Sequence, residues 1–354
     1  MEENKETMGM LDLMIRPVFC VKNQTIVKIN PAAKGLQLDV GMDVRPLLNT
    51  GREEYAAFRE GCLYLMLDIG GALLGASVTR VEGMDVFVLE QDADQAELRA
   101  MALAARELRE PLSSVMITAE RLFPMSALQE DEKTRQQVAR MNRGLYQMLR
   151  ILGNMSDAGR GPLASRQELV DITGLFAEVF DKAQALMTHT GLTLRYRGPE
   201  KEILCLADGE QLERAVLNIL SNAIKFTPKG GTIEAELTQT GQFLRLSIQD
   251  SGSGIPDCVR GSVFDRYLRQ PALEDSRFGI GLGMVLIRAA AISHGGTVLI
   301  DHPEGTGTRI SMTLAIRRNP DAQLRSPVMR IDYAGERDHA LLELSGCLPA
   351  ELYE

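Results

Sequence analysis

The sequence predicts a multidomain α+β chain in three parts, and three observations carry that prediction. Residues 10–90 are rich in short strand-like runs. Residues 98–155 hold two runs with heptad spacing. Residues 163–316 alternate helical stretches with strands spaced for hairpins, the pattern of an α/β sandwich. A length of 354 residues accommodates two or three domains at roughly 100–200 residues each.

In the first part, VFCV (18–21) and TIVKIN (25–30) flank a Lys-Asn turn. A helical stretch near 53–62 follows, then strands at 62–68, 72–79 and 84–90. Polar residues 91–97 open a long helical region. Leu98, Met101, Ala105, Leu108, Leu112, Val115, Ala119 and Leu122 alternate steps of three and four, an a/d seam. Pro111 lies inside it, where a kink is expected. After a break around residues 123–126, Val138, Met141, Leu145, Met148, Leu152 and Met155 repeat the spacing. Two such helices form a hairpin, and pairing with a second copy into a dimeric four-helix bundle completes each seam. Residues 153–162 read as a linker. Beyond them the spacing predicts strands at 166–170, 192–197, 202–206, 231–238, 242–249, 296–301 and 307–315, with helices near 171–189, 209–226 and 283–294. The tail, 317–354, begins polar and ends in an apolar segment, HALLELSGCLPAELY.

Composition narrows the function. A net charge of −9 argues against a nonspecific grip on nucleic acid or an anionic membrane. No membrane span is expected, because the most apolar stretch, 62–78, contains Asp68 and three glycines. The N-terminus has no apolar core of the kind a signal peptide needs, so a cytoplasmic location is expected. Five scattered cysteines and four scattered histidines form no CxxC pair and no metal-ligand cluster.

Three motifs carry chemistry. In LNILSNAIKFTP (217–228), Asn218, Asn222 and Lys225 fall on one helix face, suiting a hydrated Mg2+ with its phosphates. The same face serves equally well as a solvated polar surface. In DSGSGIP (250–256), Asp250 ends a strand, where it can accept from an exocyclic amine, and Gly252 and Gly254 allow close backbone approach. The simpler reading is a glycine-rich turn. GIGLGM (279–284) opens a helix whose first amides suit phosphate, although it lacks the lysine of a P-loop.

In this order and spacing, the three motifs resemble the ATP-binding domain of sensor histidine kinases, a family grouped with gyrase, Hsp90 and MutL by the Bergerat fold. The resemblance covers residues 163–316 and includes VFDRYLR (263–269), AISHGGTV (291–298) and EGTGTRISMTL (304–314). It implies ATP and Mg2+ as cofactors. Asn218 would help hold Mg2+ and phosphate together with Asn222, Lys225 would contact phosphate, and Asp250 would read the adenine amine. Gly252 and Gly254 would shape that loop. Gly279, Gly281 and Gly283 would form the hinge and amide cradle of a lid, and Phe264 and Arg266 would belong to the lid and the approach to the phosphoacceptor.

RELREPLSSV (106–115) resembles the family's phosphoacceptor box, commonly HELRTPL. Glu107, Leu108, Arg109, Pro111 and Leu112 match, while Arg106 stands where the histidine belongs and Glu110 where a threonine is usual. A neutral imidazole is a nucleophile, whereas a guanidinium stays protonated and is not. Glu107, the neighbouring acid/base of such a box, has nothing to activate. Residues 17–36 resemble the opening of a PAS domain. A generic α+β dimerisation domain is the alternative, since no residue there declares a haem, flavin or metal ligand.

The expected organisation is a PAS-like sensor domain at 1–92, a dimerisation hairpin at 93–158, an ATP-binding domain at 163–316 and a tail of unknown role at 317–354. The expected function is ATP-binding signal transduction in a two-component phosphorelay, as a homodimer, without autophosphorylation at the usual box. Phosphorylation of a partner's histidine stays open. The alternative is a non-catalytic module that heterodimerises with a kinase or docks a response regulator. ATP hydrolysis of the kind found in other Bergerat enzymes is disfavoured, because Arg214 occupies the position where those enzymes usually place a glutamate base.

Overall fold

The computed structural model describes residues 11–90, 92–123, 132–159, 165–256, 263–264, 281–302, 307–317 and 337–353. Strands β1 (Val18–Lys22), β2 (Thr25–Ile29), β3 (Cys62–Ile69), β4 (Ala72–Val81) and β5 (Met84–Leu89) form an antiparallel sheet in the order β2-β1-β5-β4-β3. The short helix α1 (Arg52–Ala57) stops well before residue 62, because Phe58 turns to an extended conformation. Phe19 and Phe87 stack at 4.7 Å and fill the core together with Leu63, Leu65 and Leu67. Asn30 fixes the exit of β2. Its Oδ1 accepts from Ala33 N (3.0 Å) and Val18 N (2.9 Å), while Nδ2 donates to Arg16 O (2.9 Å).

The hairpin consists of α2 (Asp92–Leu122) and α3 (Glu132–Ala158). Helix α2 runs without interruption through Pro111. The predicted seam divides in two. Leu98, Ala105, Leu112 and Ala119 are buried, as are Val138, Leu145 and Leu152. Leu108, Val115, Leu122, Met141 and Met148 are exposed, and Met116 and Leu149 are buried in their place. One heptad position is kept in the contact along each helix while the other faces outward, because two helices alone cover only part of the apolar stripe. Residues 153–158 are helical rather than linker. Gly153, Asn154 and Ala158 are buried, and packing there outweighs the glycine's poor helix propensity.

Beyond the hairpin come β6 (Glu168–Asp171), α4 (Ile172–Met187), β7 (Thr193–Arg197), β8 (Leu204–Ala207), α5 (Gly209–Phe226), β9 (Thr232–Thr240), β10 (Phe243–Asp250), α6 (Gly283–Ser293), β11 (Val298–Asp301) and β12 (Arg309–Ala315). β9 and β10 alternate buried and exposed residues, as a sheet with one covered face requires. The covering layer is helical: Phe176, Val179 and Phe180 of α4 and Leu212, Val216 and Leu220 of α5 are buried in one core with Leu244, Leu246 and Met312.

Two features lie beyond the sequence prediction. β3 pairs with β11 through Cys62↔Ile300, Leu63↔Leu299 and Tyr64↔Val298, joining both halves into one ten-stranded sheet. The tail is helical at α7 (His339–Glu343) and ends in a 3-10 turn (Ala350–Tyr353) packed on α3. Among the described residues, no helix is long and apolar enough to cross a membrane.

Candidate nucleotide-binding site

Helix α5 supplies the polar row. Asp208 caps it by accepting from Gln211 N (3.0 Å), which fixes where the helix begins and hence its phase. Asn218, Asn222 and Lys225 then line one cavity of about 280 Å³, together with Asp250, Gly281 and Gly283. Its other walls are apolar and include Ile248, Ile255, Ile300 and Ile310. An apolar slot with a few converging polar groups is the usual form of a small-molecule site.

At the slot's closed end, β10 delivers Asp250, which is 7% exposed. Its Oδ1 accepts from Gly252 N (2.8 Å) and Thr308 N (3.3 Å). Among the described residues, every hydrogen bond to this carboxylate goes to Oδ1, so Oδ2 remains for a ligand's donor. Burial pushes the Asp250 pKa up, and the two amides and nearby His302 oppose that shift. Gly307 closes in from the far side with φ +100°. A Cβ there would lie 1.9 Å from Asp250 O, so only glycine fits.

At the other end, Gly281 (φ +78°) turns the chain into α6, whose cap residue Leu282 makes no side-chain hydrogen bond to the helix. The side chain of Leu282 leaves the first amides of α6 uncapped, and such amides suit an anion. Gly283 packs on Asn218, where a Cβ would come within 3.2 Å of Oδ1. Carboxamide oxygens suit a Mg2+ held mainly through substrate phosphates, and helix N-terminal amides suit the phosphates themselves. No cluster of three or more His, Cys, Asp or Glu exists among the described residues to hold a metal by protein ligands alone.

Lys225 is the cation of this row. Burial, reinforced by the positive charge of Arg150, lowers its pKa to about 8. An unfolded lysine titrates near 10.5, so burial costs stability below pH 8, and stability rises as the pH climbs from about 8 toward 10.5. Phosphate binding has the opposite sign, since it needs the charged form. The second ionisation of a phosphate has its midpoint near pH ~6 and is largely complete above about pH 7. Affinity for a triphosphate should therefore fall as pH rises above 8, by up to about tenfold per unit. Calorimetric titrations between pH 7 and 9.5 test this, and Lys225→Met should flatten the profile. A wild-type affinity that stays constant across that range would overturn it.

The structure brings together Asn218, Asn222, Lys225, Asp250, Gly281 and Gly283, with Gly252 and Gly254 in the loop beside Asp250. Phe264 is not a lining residue. It is buried 5.4 Å from the Tyr64 ring, at the junction with β3. Arg266 and Gly279 lie outside the described residues. Arg106 and Glu107 are exposed on α2, whereas the hairpin's contribution to the cavity comes from α3, through Gln147, Arg150, Ile151 and Asn154. Sequence reasoning missed Arg150, Gly307, Thr308 and Glu343. The carboxylate of Glu343, fully buried, meets Arg150 Nε (3.3 Å), Arg214 Nε (3.0 Å) and Asn218 Nδ2 (3.4 Å).

Residues 207–318 match the family model described as histidine kinase-, DNA gyrase B-, and HSP90-like ATPase. The adaptive-response sensory kinase SasA of Synechocystis is 29% identical over 252 residues, covering 66% of this chain and 64% of SasA. The sensor protein DivL of Caulobacter vibrioides is 27% identical over 219 residues, covering 61% of this chain and 28% of DivL. The chain thus spans less than two thirds of the length of these curated relatives. A full-length ShkA structure in complex with AMPPNP superposes with a TM-score of 0.50 at 22% identity, over 65% of this chain and 47% of that one, a likeness of fold. The cavity built from the motif residues thus falls in a chain whose residues 207–318 match a histidine kinase-, DNA gyrase B-, and HSP90-like ATPase and which is similar to sensor histidine kinases over about two thirds of its length.

Proposed function

We propose that this chain is an ATP-binding signalling protein of a two-component phosphorelay that does not phosphorylate its own hairpin. The observation that carries the reading is Arg106, an exposed guanidinium in the register of the phosphoacceptor histidine. A guanidinium has no lone pair to offer a γ-phosphate. Glu107 beside it is exposed and has no nucleophile to deprotonate. Asp250 would select adenine, and Asn218, Asn222 and Lys225 would hold Mg2+ and the phosphates.

The surrounding architecture supports this reading. The first sheet, with Asn30 leading into a 3-10 turn, suits a PAS-like sensor domain over residues 1–92. The exposed half of the hairpin seam, Leu108, Val115, Leu122, Met141 and Met148, suits a second copy and a dimeric four-helix bundle. Phosphate from bound ATP would then go to a histidine on a partner kinase, or the ATP-bound state would be read by a response regulator docked on the hairpin.

The test is incubation with γ-labelled ATP, for the wild type, for Arg106→His, and for the wild type mixed with a histidine-containing kinase hairpin. Wild type alone should stay unlabelled, and Arg106→His should gain acid-labile phosphate. Label on the wild type alone would show that another residue accepts phosphate and would end the proposal.

A further inference from the structure

The groove between α3 and α5 is occupied by the chain's own tail. Asp338 caps α7 by accepting from Leu341 N (2.8 Å). Leu342, Leu344, Leu348 and Tyr353 are all buried. One face of α3 holds the segment: Asn142 Nδ2 donates to Tyr353 O (3.0 Å), and Arg143 Nε (3.1 Å) and Gln147 Nε2 (3.0 Å) both donate to Ser345 O. The next turn of α3 presents Arg150, which pairs with Glu343.

Glu343 reaches the phosphate end of the nucleotide cavity. Asn218, assigned to Mg2+ and phosphate, donates Nδ2 to Glu343 Oε2 and accepts at Oδ1 from Arg150 Nη2 (3.4 Å). Gly346 lines the same cavity, and a Cβ there would lie 3.6 Å from Lys225 Cε. The tail carboxylate and a triphosphate are both anions, and each would use Asn218 and Arg150. Two anions that share these partners in a poorly hydrated site repel one another. The cavity that remains, about 280 Å³, falls just below the usual range of about 300–1,000 Å³ for small-ligand pockets.

We propose that the α3–α5 groove is a docking site for residues 338–353, and that tail docking and the triphosphate of Mg2+-ATP exclude one another. The tail then sets the apparent nucleotide affinity. Ordering the segment on docking opposes its apolar burial, so the docked state is reversible. The proposal rests on the ATP-binding reading above.

The experiment compares three forms of the protein: the full chain, Glu343→Gln, and a chain ending at residue 336. Each is titrated with Mg2+-AMPPNP and, separately, with AMP, which carries the base but no triphosphate. Backbone hydrogen exchange is followed in the full chain. If the open state is populated at about 10%, removing the tail tightens Mg2+-AMPPNP about tenfold. Glu343→Gln, which keeps the shape but removes the charge, should give part of that gain, and AMP affinity should be unchanged. Amides of residues 340–348 should be protected in the free protein and with AMP, and should lose protection at saturating Mg2+-AMPPNP. Mg2+-AMPPNP binding that is unaffected or weakened by truncation, or protection that persists in the saturated protein, overturns this proposal alone. Failure of every form to bind either nucleotide overturns the ATP-binding reading and this proposal with it.

Discussion

Asp250→Ala should weaken nucleotide binding roughly 10- to 100-fold and also destabilise the fold. The two losses have separate physical origins. Oδ1 accepts from Gly252 N and Thr308 N in a site that is almost closed to water. Truncation leaves both amides without that acceptor, at about 1–3 kcal/mol each. The free Oδ2 faces the ligand, and a hydrogen bond to a charged acceptor contributes about 1.5–3 kcal/mol, roughly 10- to 100-fold in affinity. Asp250→Asn separates the two effects. Its carbonyl oxygen still serves the two amides, so stability should stay near that of the wild type. Its NH2 replaces the acceptor that faces the base, so an adenine amine meets another donor. ATP affinity should then fall as it does in the alanine variant, while a purine triphosphate with a keto group in place of the amine should gain. Calorimetry with both nucleotides and urea unfolding of both variants make the check. An asparagine variant that still prefers ATP would mean that Asp250 shapes the loop but does not read the base.

The parts of this site that were legible in the sequence are those built by one element at a time. Asn218, Asn222 and Lys225 share a face because helical geometry puts them there. Asp250 ends an alternating strand, and Gly281 and Gly283 precede a helix. The residues that were not legible come from other elements. Glu343 lies 125 positions from Asn218 and sits in an apolar run, where a lone carboxylate reads as a solvated polar face. Arg150 is one arginine among several on a charged helix, and only the fold reveals that it turns toward α5. Phe264 was assigned to the lid by its box, but its environment is set by Tyr64 from the other end of the chain. The pairing of β3 with β11 left no trace for a similar reason. Alternation identifies a strand and its buried face but says nothing about which edge it will join.

That pairing has a consequence at Gly61. Gly61→Val should split the ten-stranded sheet at its seam, so that calorimetry records two transitions where a single one is expected of the wild type. Gly61 enters β3 with φ +91°, a conformation that costs a residue with a side chain about 1–2 kcal/mol. Its Cβ would lie 2.1 Å from Ile300 O and 3.0 Å from Asp301 Cα. Both are backbone atoms of β11 and cannot swing aside as a side chain would. Relief requires β11 to retreat, and the seam has only three residue pairs to resist that. A combined loss of about 3 kcal/mol or more is expected, in the upper range for a single substitution. The same retreat would pull Arg288 on α6 away from Glu90, its partner at 2.5 Å, and from the Tyr64 ring, 5.0 Å below it. Arg288 also donates to Phe264 O (3.1 Å), and α6 begins at the glycines that line the nucleotide cavity. Opening the seam should therefore also change nucleotide affinity, although Gly61 itself is not a lining residue of the cavity. Arg288→Met, which keeps the seam and removes the link, should change affinity while leaving a single transition. If Gly61→Val melts once, at the wild-type temperature, the two halves are not coupled through β3 and β11. If it melts twice with unchanged affinity, the seam joins the halves mechanically but carries no signal between them.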